Sequence, residues 1–220
     1  MSFPCSTIFL LSPANLAGIR AQYVLEPRGE SDLADRLRRN GVPLGELFSF
    51  ISSLYFRGKL AYASAFSRPP QAMSGSFVIT ATGALLSPET VVMLDQVREM
   101  ATSDIDARNP RYRLALDRDC RSLSETAGSS CRIVLLGSVA TPKYTEPLLE
   151  VFGERLLFPK GFAGRGDMSR GGLLLRCVAN GEELAYIPIL NADRHGPKPP
   201  KLPPVTSLRN KSRREAPHHS

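Results

Sequence analysis

Three short apolar runs, each followed by a segment with helix-forming character, constrain the fold more than any other feature of this chain. Thr7 to Ser12 (TIFLLS) is stopped by Pro13, Ser76 to Thr82 (SFVITAT) by Gly83, and Arg132 to Gly137 (RIVLLG) closes on its own glycine. Runs this short, rich in Val, Ile and Phe and ended by small residues, read as buried strands. Helices are expected after them at 15–25, at 88–101 and at 142–152. Pro88 and Pro142 take the first helical position, where no N–H is needed, with Ser87 and Thr141 as N-caps. Strand-then-helix repeats imply a parallel sheet covered on both faces.

Between the first two strands the chain predicts helices at 32–39 and 43–66, the second broken near Gly58. In that longer segment Leu44, Leu47, Phe48, Ile51, Leu54 and Tyr55 recur at helical spacing, as a core-facing stripe does. Near the C-terminus, Arg155 to Phe158 reads as a short strand. Leu173–Ala179 and Glu182–Ile189 then flank Asn180-Gly181, a strong hairpin signal. The expected fold class is therefore α/β: a mixed sheet with a parallel core, flanking helices and a C-terminal antiparallel hairpin.

The net charge of +7 invites a nucleic-acid reading, but its distribution is uneven. From Arg194 onward there are seven basic residues and one acidic one, which leaves residues 1–193 nearly neutral. The same 27-residue tail holds six prolines and few apolar anchors, so residues 194–220 are expected to be a disordered, basic, proline-rich tail behind a single domain at 1–193. The run Ile8–Leu11 is too short to span a membrane and follows no basic segment, so neither a membrane span nor a signal peptide is expected. The four cysteines form no C-x-x-C pair. That spacing points to a reduced, cytoplasmic protein without a zinc site or disulfide framework, with Cys131 and Cys177 as core residues.

All three histidines lie in the tail. Ser-His-Asp and Cys-His chemistry, and His-ligated metals, are thus not expected in the folded part. Chemistry there falls to Asp, Glu, Lys, Arg, Tyr, Ser and backbone groups, and no cofactor is called for. In open α/β sheets ligands bind beyond the carboxyl ends of the strands. Those ends carry Ser12, Asn15, Thr80, Thr82, Gly137 and Ser138, and they lead into helix N-termini that favour anions, with Lys143 on the first turn of one. The segment Gly161–Gly172 holds five glycines in twelve residues, with Arg165 and Arg170 as forks for phosphate or carboxylate and Asp167 as a partner or base.

Four motifs in order resemble the YaaA-like family of bacterial proteins. Leu10-Leu-Ser-Pro-Ala14 is similar to that family's opening strand and SPA turn, with Asn15 where a lysine usually follows. Gly83-Ala-Leu-Leu-Ser-Pro-Glu89 resembles its Y-G-x-L-x-P turn without the tyrosine. Val134-Leu-Leu-Gly-Ser138, followed by Lys143-Tyr144, resembles a strand ending in Ala-Ser before Glu-Tyr. Arg165-Gly-Asp-Met-Ser-Arg170 resembles A-R-G-x-M-x-R. The resemblance implies a role in resistance to peroxide stress and DNA binding through a basic cleft.

Three functions follow as expectations. The first is nonspecific binding of double-stranded DNA, or of another phosphate-bearing ligand, in a cleft of the strand ends, Arg57, Lys59, Lys143, Arg165 and Arg170. The second is an enzyme acting on a nucleotide or nucleobase at the same edge, with Asp167 or Tyr144 as acid or base and the arginines holding phosphate. The third is an interaction module in which a partner binds the Pro-Pro-Lys-Leu-Pro-Pro stretch of the tail.

Overall fold

The computed structural model describes residues 5–26, 31–52, 54–139 and 142–191. The expected N-cap Thr141 and the tail at 194–220 lie outside them. In chain order the elements are β1 (Thr7–Leu11), α1 (Ile19–Leu25), α2 (Asp32–Arg39), β2 (Val42–Pro43), α3 (Leu44–Ser52), α4 (Leu54–Phe66), β3 (Ser76–Ile79), β4 (Leu85–Leu86), β5 (Val91–Val92), α5 (Leu94–Thr102), α6 (Pro110–Ala127), β6 (Arg132–Leu136), α7 (Pro142–Phe152), β7 (Leu156–Pro159), α8 (Asp167–Asn180) and β8 (Tyr186–Pro188).

The fold is α/β. Six strands form a mixed sheet in the order β4-β3-β1-β6-β7-β8. Its core is parallel: β1 pairs with β3 and β6, and β6 with β7. β4 and β8 close the two edges antiparallel. All of β1 is buried, which requires cover on both faces. Phe9 meets the ring of Tyr62 on α4 edge to face, with centroids 5.7 Å apart, while α8 packs on α4 and α6 packs on α7. A separate two-stranded ribbon joins β2 to β5. No helix of the described residues is long and apolar enough to cross a membrane.

Several boundaries differ from the sequence reading, each for a local reason. The first helix begins at Ile19 rather than Asn15, because Asn15 makes a turn instead: its Oδ1 accepts from Ala17 N at 3.0 Å. The helix expected from Pro88 begins at Leu94. A turn from Ser87 to Thr90 (Thr90 N to Ser87 O, 3.0 Å) delivers Val91-Val92 into the ribbon first. The segment at 43–66 is helical on both sides of residue 53, and Gly58 lies inside α4 rather than at a break. α6 spans 18 residues, and the sequence reading assigns nothing to it, although Asn109 caps it, Pro110 opens it and Gly128 follows it.

The largest correction is at Asn180-Gly181. Residues 167–180 are a helix, not a hairpin arm, so no strand near Leu173 runs antiparallel to the one near Leu135. Gly181 is the left-handed residue that ends this helix (φ +68°), with its N–H on Val178 O at 3.2 Å and the next N–H on Cys177 O at 2.9 Å. A hairpin turn and a helix C-cap both require positive φ after Asn, so the dipeptide alone does not separate them. The antiparallel end of the sheet exists, but β7 and β8 form it on either side of α8. A Cβ at Gly181 meets nothing within 4 Å, so Gly181→Ala pays only for the left-handed backbone. Chemical denaturation should show a loss of about 1 kcal/mol.

Candidate functional site

Helix α4 carries an inward stripe of Tyr55, Lys59, Tyr62 and Phe66, spaced four, three and four residues apart. A lysine therefore occupies a core position. Lys59 is 1% exposed, and its Nζ reaches the carboxyl end of β1, donating to the Ser12 carbonyl at 2.5 Å and lying 3.0 Å from Ser12 Oγ. The rings of Tyr55 and Phe56 stand 4.4 and 5.0 Å from it. It has no ion pair among the described residues. Burial lowers its pKa from 10.5 to about 7; Asp167 raises it through space and Arg170 lowers it further.

α8 is brought over this point by a glycine contact. A Cβ on Gly58 would lie 2.8 Å from Gly171 O, and one on Gly171 would lie 2.8 Å from Leu54 O. The two helix backbones touch, which sets Lys59 of α4 and Arg170 of α8 beside the crossing. Tyr55 is buried, and burial pushes its phenol up to about 12. Arg170 offsets part of that rise through space, and the Tyr55 hydroxyl has no hydrogen-bond partner among the described residues.

Beside this cluster, at the ends of β1 and β3 and the start of α7, is a pocket of about 490 Å³. Asn15, Phe48, Ala81, Asp104, Lys143 and Tyr144 are among its walls. A second pocket of about 530 Å³ shares Ala81, Ser103 and Asp104 with it and adds Thr82, Glu99, Asn109 and Arg111. Tyr144 is buried on α7, and burial raises its phenol far above the usual range, so it remains a donor at any ordinary pH. Lys143 is half-buried on the first turn of α7, and its carbonyl accepts from the Tyr112 hydroxyl at 3.3 Å.

The sequence candidates divide accordingly. Asn15, Lys143 and Tyr144 share the first pocket, and Thr82 lies in the adjoining one, its hydroxyl 2.9 Å from that of Thr80. Ser12 meets Lys59 next to the pocket residues Pro13 and Ala14, and Ser138 is half-buried after β6. Arg57 is exposed and lines neither pocket. Arg165 is spent on its own turn, donating to Gly161 O at 3.0 Å and Ser169 Oγ at 3.1 Å. The Arg170 side chain is 13% exposed; it donates to Phe162 O at 3.3 Å and pairs with Asp167 at 3.7 Å. Asp167 itself is largely exposed.

The unusual group is Lys59, which the sequence reading placed in a cleft among several cations rather than buried on its own. The signal that distinguishes it is the stripe: Tyr55, Tyr62 and Phe66 are apolar partners at helical spacing, and only Lys59 breaks the pattern. No group of three or more His, Cys, Asp or Glu among the described residues is placed to hold a metal ion. Compared with protein-family models, curated proteins and solved structures, the chain gives no match.

Proposed function

We propose that the carboxyl edge of the sheet binds a small phosphate-bearing ligand of nucleotide size. The observation that carries this reading is the convergence of Asn15, Ala81, Lys143 and Tyr144, drawn from the ends of β1 and β3 and the first turn of α7, on one concave pocket. A volume of about 490 Å³ suits a compact ligand. Lys143 on the first turn of α7 supplies a cation, and Tyr144 supplies a phenolic donor. Asp104 and Glu99 stand beside Lys143 and Arg111, so the edge is not uniformly basic. This mixture favours one anionic group on a small molecule over the phosphate row of a duplex.

The likeness to the YaaA-like family supports the same placement. Three of its motifs fall at the ends of β1, β3 and β6, and the fourth opens α8. On that likeness the ligand is a nucleotide or nucleic acid, and the biological setting is protection of DNA under oxidative stress.

Titration with AMP and with a short DNA duplex at about 50 and 200 mM salt tests the reading. AMP should bind, and Lys143→Ala should weaken it by about tenfold or more, the worth of one hydrogen bond to a charged group. Steeply salt-dependent duplex binding without AMP binding would move the reading to nucleic acid. Binding of neither, by a folded protein, would end it.

A further inference from the structure

Ser12 and Lys59 meet at the carboxyl end of β1 although 47 positions separate them. Lys59 Nζ is 3.0 Å from Ser12 Oγ, whereas the other neighbour of that hydroxyl, the Leu136 carbonyl, is 3.4 Å away. The serine proton thus has two acceptors. It turns to Leu136 when Lys59 is an ammonium and to Lys59 when that nitrogen is an amine. The amine form still has an N–H for the Ser12 carbonyl at 2.5 Å while its lone pair faces Oγ.

Burial opposes the charge: it brings Lys59 down to about 7, with Arg170 adding to the fall, against the rings of Tyr55 and Phe56 and Asp167, which favour the ammonium. The amine is therefore well populated near neutral pH. Ser12 keeps 8% of its surface, and the next residues, Pro13 and Ala14, line the pocket. Gly137 packs closely against Ser12: a Cβ there would lie 3.1 Å from Ser12 Cβ and 3.3 Å from its Oγ, so only glycine fits beside the hydroxyl without displacing it. A serine activated by a desolvated lysine is an established solution to nucleophilic catalysis without histidine.

We propose that Ser12 and Lys59 form a nucleophile–base pair that hydrolyses a small carboxylic ester admitted through the pocket of Asn15 and Tyr144. The inference goes beyond anion binding and does not depend on Lys143. In the first half-reaction the Ser12 proton passes to the Lys59 amine as Oγ bonds to the ester carbonyl carbon. The ester C–O bond breaks, and the Lys59 ammonium returns the proton to the departing alkoxide, releasing an alcohol. Water then gives a proton to Lys59 and adds to the acyl carbon. The bond to Oγ breaks, Oγ recovers the proton, and a carboxylic acid leaves. No electrons are exchanged with an outside partner.

The test is covalent labelling of the full chain with a fluorophosphonate and with phenylmethylsulfonyl fluoride, read by intact mass and peptide mapping. One adduct should form, on the peptide bearing Ser12, and about tenfold faster at pH 8 than at pH 6, following the fraction of neutral Lys59. Ser12→Ala should abolish it with the thermal midpoint kept. Lys59→Met should slow it at least about a hundredfold. Lys59→Arg, which cannot act as a base, separates loss of the base from loss of the cation, because it should be as slow. The absence of an adduct with both reagents, an adduct that survives in Ser12→Ala, or a rate unchanged in either Lys59 variant would overturn the proposal. Failure of AMP binding alone would leave it standing.

Discussion

Gly171→Ala will destabilise the protein by about 1–3 kcal/mol, and Gly171→Val by more, the usual cost of forcing atoms into a filled interface. The Cβ of alanine would stand 2.8 Å from Leu54 O, 2.8 Å from Tyr55 Cα and 2.9 Å from Leu54 C, all of them backbone atoms that cannot rotate aside. The helices must separate, and α4 is held on its other side by β1 and β3. Gly58→Ala should behave alike, since its Cβ would meet Gly171 O at 2.8 Å. The pair should be less than additive, because either substitution opens the same contact. Urea unfolding measures the loss, and the thermal midpoint should fall by roughly 2–4 °C for each kcal/mol. A wild-type midpoint in Gly171→Ala would show that the crossing is looser than its geometry. The same displacement moves Arg170 and Tyr55 against Lys59, so labelling of Ser12 should fall in these variants as well.

Stability should rise between pH 7 and about 8, and Lys59→Met should remove that rise. The sign follows from proton binding. In the unfolded chain Lys59 titrates at its ordinary value near 10.5, and in the folded protein at about 7. Below pH 7 both states carry the proton and the group gives no slope. Above it the folded state loses the proton first, so the unfolded state binds more and stability increases with pH, by at most about 1.4 kcal/mol per unit. The cost of burying the ammonium is therefore fully present below pH 7 and is relieved as the amine forms. From about pH 8 an opposing effect sets in. Burial raises the thiols of Cys120, Cys131 and Cys177, so unfolded thiols ionise before folded ones, and three such groups outweigh one lysine and turn the slope downward by about pH 9. Tyr55 and Tyr62, both pushed up to about 12, steepen the fall above pH 10. Urea denaturation of wild type and Lys59→Met at whole pH units measures both slopes. Wild-type and Lys59→Met curves that run parallel from pH 7 to 8 would mean that Lys59 finds a countercharge and stays protonated.

The parallel core was legible because a strand buried on both faces must be apolar throughout, and β1, β3 and β6 are short enough to be nothing else. Helices α2 and α7 begin and end at the expected residues, since each is bounded by local chemistry: Ser31 caps α2, accepting from Ala34 N at 3.2 Å, and Pro142 opens α7. α8 was misassigned because Leu173–Ala179 is apolar enough for either state. Its buried residues Gly171, Leu174 and Cys177 lie three apart, a period that becomes visible only once the face against α4 is known.

The amino-acid sequence by itself determined the fold class, the direction of the central strands and therefore the edge on which Ser12, Asn15, Thr82, Ser138 and Lys143 fall. These depend on composition, burial and chain direction, which are local or topological. Only the tertiary structure decided which side chains on that edge are spent and which remain. Arg165 and Arg170 are drawn into holding the turn before α8, because carbonyls of Gly161 and Phe162 lie within their reach. Lys59 is set apart because a glycine contact between α4 and α8 seals it among aromatic rings and backbone. Desolvation and countercharge are properties of the three-dimensional surroundings, and no spacing along the chain encodes them.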